Sequence, residues 1–254
     1  MLSLENKVGL VVGVANDHSI AWGCAQQFAK LGAKLVVTYQ SDKAKPHVEP
    51  LAQALNADLL MPLDVQREEQ VDALFDAIRS KFGRLDFVLH SIAFVPKQDL
   101  HGRVVDVSLE GFLKAMDISC HSFLRLARRA EPLMKDGGCL LTVTYYGSEK
   151  VVSHYNIMGP VKAALEASVR YMAKELGPKR IRVNALSPGP MSTRAASGIQ
   201  SFDTLLEQAK AKSPMGQIVT LEDVGHMAAF LVSDVARNIT ANICYVDAGY
   251  QVVD

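Results

Sequence analysis

A tyrosine and a lysine, Tyr155 and Lys162, stand seven residues apart in a segment whose pattern predicts a helix over Tyr155–Gly177. Seven residues are about two helical turns, so the two side chains are expected on one helix face. A neighbouring ammonium lowers the pKa of a phenol and can also hydrogen-bond to ribose hydroxyls. Without such help, a phenol at neutral pH is a hydrogen-bond donor rather than a base.

A glycine-containing turn near residue 13 is a second candidate for chemistry. Gly13 ends an apolar run, and Ser19 and Ile20 then open a predicted helix. The turn lacks the second glycine of the common G-x-G-x-x-G pattern. A glycine at a strand end, followed by a helix N-terminus, still suits a pyrophosphate. We therefore predict that Gly13, Ser19 and Ile20 contact a dinucleotide.

The ends of the next two apolar runs indicate which dinucleotide is expected. Dinucleotide folds place the group that reads the adenosine ribose after the second strand, here at Gln40. Glutamine neither repels nor strongly attracts a 2′-phosphate, so NAD is favoured over NADP. Lys43 and Lys45 could pair with a phosphate, but a solvated helix face is their more ordinary role. Asp64 and Val65 follow the third run and suit an adenine edge, with a helix N-cap as the alternative role of Asp64.

These residues must be positioned by short apolar runs that alternate with longer helical segments. The runs are continuously apolar, which is typical of a parallel sheet covered on both faces. Right-handed crossovers then predict an α/β, Rossmann-like doubly wound sheet with its ligand crevice at the carboxyl ends of the strands. The predicted strands are Lys7–Ala15, Lys34–Tyr39, Asp58–Pro62, Asp86–Ser91, Gly138–Thr144, Ile181–Leu186 and Asn242–Val246. The predicted helices are Ala21–Leu31, Ala44–Asn56, Arg67–Phe82, Leu109–Met134, Tyr155–Gly177 and Glu222–Val232.

One segment, 188–214, breaks this alternation. It contains prolines, small residues and one short amphipathic stretch. A long insertion after a strand is commonly a lid over the site, and a surface excursion is the alternative. Nothing else interrupts the pattern, so we predict one domain over 1–254.

Composition limits the expected partners. Lys and Arg number 27, as do Asp and Glu, so the formal net charge is zero and no global field favours nucleic acid or an anionic membrane. No apolar stretch is long enough to span a bilayer. The four cysteines are far apart and no histidine pair has metal-ligand spacing, so we expect no metal site. Free thiols fit a cytoplasmic location.

The motifs lie in the order seen in short-chain dehydrogenases/reductases, and their details resemble the bacterial NADH-dependent enoyl-(acyl-carrier-protein) reductases. Most superfamily members have a tyrosine four residues before the lysine, where this chain has Met158. Here Tyr145 and Tyr155 stand ten residues apart, a spacing that marks this branch. The resemblance covers essentially the whole chain and is carried by GVANDHSIAWG, TYQSDK, HSIAF, TYYGSEKVVSHYNIMGPVK, RVNALSPGPMSTRAASGI and VTLEDVG.

The resemblance implies specific roles for residues of this sequence. Tyr145, Tyr155 and Lys162 would be catalytic, and Val95 would join the two tyrosines at the substrate. The implied cofactor contacts are Gly13, Ser19, Ile20, Gln40, Asp64, Val65, Ser91, Ile92, Lys162, Met191, Ser192, Thr193, Arg194 and Ala195.

It also implies the last reductive step of type II fatty acid elongation. Hydride from NADH would reach the β-carbon of a trans-2-enoyl thioester while Tyr155 donates a hydrogen bond to the enolate oxygen. Lys162 would hold the nicotinamide ribose, and Tyr145 would line the thioester carbonyl. The thioester would be carried by acyl carrier protein or coenzyme A, and the protein would be a cytoplasmic homotetramer without a metal.

Two alternative functions and one departure from the family pattern remain open. A 3-oxoacyl or carbonyl reductase on this fold needs a tyrosine where Met158 stands. A non-catalytic nicotinamide redox sensor would keep the glycine turn and lose the Tyr155 and Lys162 pair. Pro160 falls inside the predicted helix, where it could bend the chain between those two residues.

Overall fold

The seven apolar runs become the strands of one parallel sheet. The computed structural model describes residues 2–191, 193 and 202–253. In that part of the chain seven strands pair in the order β3-β2-β1-β4-β5-β6-β7, and every neighbouring pair is parallel. The strands are β1 Val8–Val12, β2 Lys34–Tyr39, β3 Leu59–Pro62, β4 Phe87–His90, β5 Gly138–Val143, β6 Ile181–Pro188 and β7 Ile243–Val246.

The strand order reverses between β1 and β4, which lie side by side in the middle of the sheet. Chain connections leave these two strands toward opposite edges, so a crevice opens beyond their carboxyl ends. The predicted Rossmann-like, doubly wound architecture is confirmed.

Helices cover both faces of the sheet, as predicted. One apolar core lies between the sheet and α3, α6 and α7, and the other between the sheet and α1, α2 and α9. The α-helices are α1 Ile20–Lys30, α2 Lys45–Ala54, α3 Glu68–Phe82, α4 Lys97–Leu100, α5 Leu109–Met116, α6 Ser122–Ala130, α7 Met158–Leu176, α8 Phe202–Lys212 and α9 Leu221–Val232. No helix in these ranges is both long enough and apolar enough to cross a membrane.

Two predicted helices differ from the observed ones. The single helix expected over Leu109–Met134 is interrupted by a π-helical turn at Asp117–His121, which separates α5 from α6. The helix expected from Tyr155 begins instead at Met158. Pro160 is therefore the third residue of α7, where a missing N–H removes no intrahelical hydrogen bond.

The segment 188–214 is described only in part. The amphipathic stretch predicted there is α8, and residues 192 and 194–201 lie outside the described residues.

Helix α9 begins with a reciprocal capping box. The Thr220 side chain accepts from the Asp223 amide, and the Asp223 carboxylate accepts from the Thr220 amide. These bonds satisfy helix-start N–H groups next to α1, against which α9 packs through Gly23 and Gly225.

Replacing Thr220 with alanine should lower the free energy of unfolding by about 1 kcal/mol, because one capping acceptor is lost. Thr220→Ser keeps the hydroxyl and serves as the control. Urea unfolding followed by circular dichroism measures both, and an equal loss in the two variants would contradict the capping role.

Candidate active site

A cleft of about 480 Å³ lies at the carboxyl ends of the central strands. Its walls come from the loops after β1, β2, β3 and β4 and from α5 and the π-helical turn. Parallel strands bring these loops to one edge although they are far apart in sequence. The predicted cofactor residues that line it are Gly13, Ser19, Ile20, Gln40, Asp64, Val65, Ser91, Ile92 and Thr193.

Gly13 turns the chain out of β1 in a conformation that side chains rarely adopt, with φ of 112°. A Cβ at this position would lie 2.1 Å from the Ser91 carbonyl oxygen, so only glycine lets these two loops approach. The Ser19 hydroxyl closes the turn by accepting from the amides of Ala15 and Asn16 at 3.0 and 2.9 Å. Helix α1 then begins at Ile20 with its N-terminus facing the cleft.

The end of the cleft that is predicted to hold adenosine is lined by residues that follow the second and third strands. Gln40 is exposed at its rim, whereas Val65 is buried in its wall. Asp64 is not the N-cap of α3, since Arg67 holds that position. The Asp64 carboxylate instead accepts from the Gln66 amide at 3.1 Å, which shapes the loop between β3 and α3.

An adjoining chamber of about 290 Å³ contains the two tyrosines and the lysine. Apolar side chains form most of its wall, among them Val95, Leu100, Met158 and Met191. The chamber and the cleft share four wall residues, so a nucleotide in the cleft would reach the chamber at this boundary. The shared residues are Ile20, Ala93, Phe94 and Thr193.

Tyr145 and Tyr155 face each other edge to face, with ring centroids 5.0 Å apart. Tyr145 lies two residues after the end of β5, and Tyr155 lies in the turn before α7. His154 and Asn156 on either side of Tyr155 have φ of 64° and 46°, which explains why the helix cannot extend back to it. The shared helix face expected for Tyr155 and Lys162 is therefore wrong, although both side chains line the chamber.

Lys162 is buried, with 4% of its surface exposed, and its Nζ donates to the Val143 carbonyl oxygen at 2.7 Å. Burial lowers the pKa of the Lys162 ammonium to about 8. One helical turn further along α7, the buried Glu166 carboxylate accepts from the Thr144 hydroxyl at 2.6 Å. This carboxylate partly opposes the effect of burial on Lys162.

The Tyr155 phenol does not have the lowered pKa that a lysine neighbour predicted. Burial, assisted by the Glu166 carboxylate, raises the pKa of Tyr155 above its ordinary value. Burial likewise raises the pKa of Tyr145. Both phenols are thus protonated at neutral pH and can act as hydrogen-bond donors.

His90 lies beneath the site at the end of β4 and carries no charge. Its ring nitrogens are 2.8 Å from the Thr142 hydroxyl and 2.7 Å from the Ser122 hydroxyl. Burial, reinforced by Lys162, lowers the pKa of His90 to about 3. Its role in this structure is to join β4, β5 and α6.

Sequence reasoning missed part of the wall. Lys114 and Ile118 line the cleft from α5 and the π-helical turn, and Lys114 lies 5.6 Å from the Phe94 ring centroid. Their spacing of four residues was the available signal, because it places both on one side of a helix. The predicted contacts Ser192, Arg194 and Ala195 lie outside the described residues.

The cleft fits a dinucleotide by its own geometry. Gly13 lets the loops after β1 and β4 approach each other, and the N-terminus of α1, whose backbone N–H groups suit a pyrophosphate, faces the cleft. The buried ammonium of Lys162 lines the adjoining chamber, and its N–H donors suit ribose hydroxyls. In the described ranges, no group of three His, Cys, Asp or Glu side chains is arranged to hold a metal ion.

A family model described as "Enoyl-(Acyl carrier protein) reductase" matches residues 13–251, which include the glycine turn, both tyrosines and the lysine. The chain belongs to this family. The match confirms the resemblance that the sequence motifs indicated.

Relatives of nearly the same length support the same family assignment. The chain is 48% identical over 250 residues to "Enoyl-[acyl-carrier-protein] reductase [NADH] 1" of Rhizobium meliloti, covering 98% of this chain and 92% of the relative. It is 44% identical over 256 residues to an NADH enoyl-(acyl-carrier-protein) reductase of Synechocystis, covering 100% and 99%.

Solved structures of the family have the same fold. The Anaplasma phagocytophilum reductase in complex with NAD superposes with a TM-score of 0.95 at 50% identity, covering 98% of this chain and 95% of that one. The Bacillus cereus reductase with NADP+ and indole naphthyridinone gives 0.97 at 43% identity, covering 100% of each chain.

The lowered pKa of Lys162 makes nucleotide affinity depend on pH. A lysine with a pKa of about 8 is an ammonium below that value and becomes neutral as the pH rises through it. If the ammonium holds the nicotinamide ribose, NADH affinity should fall about tenfold from about pH 7 to about pH 9, following its protonated fraction. Fluorescence titration of NADH measures this.

Lys162→Arg provides the comparison, because a guanidinium stays charged throughout this range and should flatten the profile. An unchanged slope in Lys162→Ala would show that another group titrates.

Proposed function

We propose that this protein reduces the double bond of trans-2-enoyl thioesters with NADH, giving the saturated acyl thioester in the last reductive step of type II fatty acid elongation. The observation that carries this proposal is the convergence of Tyr145, Tyr155 and Lys162 on one apolar chamber that joins the nucleotide cleft. Membership of the enoyl-(acyl-carrier-protein) reductase family supports it.

NADH, when bound, supplies the hydride that adds to the β-carbon of the enoyl thioester. Negative charge then develops on the thioester oxygen, and the protonated Tyr155 phenol donates a hydrogen bond to it. Tyr145, packed against the Tyr155 ring, lines the thioester carbonyl and restricts its position. Both phenols are kept neutral by burial, so they stabilise the enolate as donors without becoming anions themselves. A proton from solvent then adds to the α-carbon of the enolate and completes the saturated thioester.

Lys162 acts on the nucleotide side of the same centre. Its ammonium binds the nicotinamide ribose and adds positive potential near the enolate, which a largely apolar chamber screens little. The Val143 carbonyl holds it in place. Ser192, Thr193, Arg194 and Ala195 would complete the nucleotide site by resemblance to the family.

The acyl chain is proposed to lie along the apolar wall of the chamber. Val95 is buried in this wall and Met158 contributes from the first turn of α7. The segment 188–214 would close over it as a lid. Met158 also separates this site from that of a 3-oxoacyl or carbonyl reductase, which needs a phenol at that position.

The proposal also covers the thioester carrier, the oligomeric state and the location of the protein. The thioester carrier is proposed to be acyl carrier protein, with coenzyme A as the alternative because the described part of α8 has its lysines only near its end, at Lys210 and Lys212. We propose a cytoplasmic homotetramer in which residues 1–254 form one catalytic domain. Exposed apolar side chains on α5 and α7, at Leu109, Leu113 and Tyr171, support association through these helices.

Purified protein should consume NADH when given a crotonyl thioester, and Tyr155→Phe should lower kcat by about 10²–10³ because the enolate loses its donor. Tyr146→Phe is the matched control, since the Tyr146 hydroxyl pairs with that of Tyr250 at 3.3 Å and lies outside the chamber wall. Lys162→Ala should also lose turnover. NADH consumption that survives both the Tyr155 and Lys162 substitutions would overturn the site assignment.

Cofactor choice should depend on Gln40, which is exposed at the adenosine end of the cleft. The wild type is expected to prefer NADH. Gln40→Arg should raise kcat/KM for NADPH about tenfold, because a guanidinium can pair with the 2′-phosphate. Gln40→Glu should instead lower it, and equal wild-type rates with NADH and NADPH would contradict this interpretation of Gln40.

A further inference from the structure

The two walls at the adenosine end of the cleft are tied together by the guanidinium of Arg125 and by a direct hydrogen bond between Gln66 and Asp117. Arg125 of α6 is nearly buried, with 10% of its side chain exposed. It contacts the loop of residues 64–66 and is not among the residues that line the cleft. It reaches the two walls by hydrogen bonds alone.

Two nitrogens of the Arg125 guanidinium hold the 64–66 loop and the start of α3. Its Nη1 donates to the Val65 carbonyl oxygen at 2.6 Å, and its Nε donates to Glu68 Oε1 at 2.6 Å at the start of α3. Because Val65 follows Asp64, this contact fixes the backbone whose side chains form the cleft wall. The loop is therefore held at its middle residue, and α3, which follows it, is held at its first residue.

The third nitrogen of the Arg125 guanidinium holds the opposite wall. Its Nη2 donates to Asp117 Oδ1 at 2.9 Å, at the first residue of the π-helical turn. Asp117 Oδ2 accepts in turn from Gln66 Nε2 at 3.1 Å, which closes a ring back to the loop. Burial acts to raise the pKa of Asp117, but the bonds from Arg125 and Gln66 outweigh it and the pKa is lowered, so the ring contains a carboxylate at neutral pH.

The π-helical turn is itself part of the site. Ile118 lines the cleft, and the buried Ser119 hydroxyl both accepts from the Phe94 amide at 2.8 Å and donates to the Phe94 carbonyl at 3.0 Å. A shift of this turn would therefore move a cleft wall. Arg125 links this π-helical turn to the 64–66 loop.

We propose that Arg125 is a positioning residue for the adenosine half of NADH: it fixes the separation of the 64–66 loop and the π-helical turn, between which the adenine lies. This inference rests on the proposed function only in taking Asp64 and Val65 as the adenine contact. An arginine is required because three acceptors in different directions need the fork of a guanidinium, and a lysine ammonium cannot reach all of them.

Arg125→Lys keeps the charge and removes the fork. It should weaken ADP-ribose, which has the adenosine half without nicotinamide, about tenfold in calorimetric titrations. Reduced nicotinamide mononucleotide, which lacks the adenosine half, should be used within about twofold of the wild-type kcat/KM. With NADH, KM should rise and kcat at saturation should stay unchanged. General loosening of the fold would not raise KM without also lowering kcat.

Arg129→Lys is the matched control. Arg129 lies one turn along α6 and pairs with Glu68 and with Asp72, the latter at 2.6 Å, but it makes no hydrogen bond to the 64–66 loop or to Asp117. It should destabilise the same α3–α6 ion network while leaving ADP-ribose affinity unchanged. Asp117→Asn gives a second, milder variant that should weaken ADP-ribose a few-fold.

The outcomes separate this inference from the proposed function. Equal weakening of ADP-ribose binding by the Arg125 and Arg129 variants would overturn the positioning role. Joint loss of ADP-ribose affinity and of turnover with the mononucleotide in Arg125→Lys would overturn it as well. Wild-type affinity for ADP-ribose in both Arg125→Lys and Asp117→Asn would overturn it too. A wild-type protein that binds neither ADP-ribose nor NADH would instead overturn the cofactor assignment.

Discussion

The Lys162 ammonium donates to the Val143 carbonyl oxygen although the lysine is almost wholly buried. A buried charge must find a partner, and here the partner is the last residue of β5. The bond fixes the first turns of α7 against the end of the sheet. Tyr145 follows β5 and Tyr155 precedes α7, so the same bond determines how the two phenols face each other. The arrangement of the chamber depends on this contact, while burial keeps its two phenols neutral.

The parts of the site that follow from local rules could be predicted from the sequence. Continuous apolar runs indicated all seven strands, and parallel strands must place their following loops at one edge. Gly13, Gln40, Asp64 and Val65 could therefore be assigned to one cleft although residues 13 and 65 are far apart in the chain. Tyr145 required the family resemblance, because nothing in its own neighbourhood distinguishes it from Tyr146.

Other parts depend on contacts that no local pattern contains. The helical period continues through Leu109–Met134, whereas the π-helical turn at Asp117–His121 inside it is hydrogen-bonded to Gln66 and Phe94, which are distant in the chain. The pKa of Tyr155 rises because the fold buries it near Glu166, whereas spacing along the chain suggested only the lysine. The contacts of Arg125 could not be predicted for the same reason, because its acceptor Val65 is sixty residues away.

The π-helical turn has a consequence for how the chain tolerates changes in length. A π turn holds about one residue more than an α turn, and one residue rotates a helix by about 100° about its axis. Removing one residue within 117–121 lets the turn become an ordinary α turn with α5 and α6 in their present phase, whereas an α turn of unchanged length would rotate α5 relative to α6 by that angle. Lys114 and Ile118 would then leave the cleft wall while α6 and its guanidinium stayed in place. The irregular turn thus keeps α5 in phase with the cleft wall while α6 holds the 64–66 loop through Arg125.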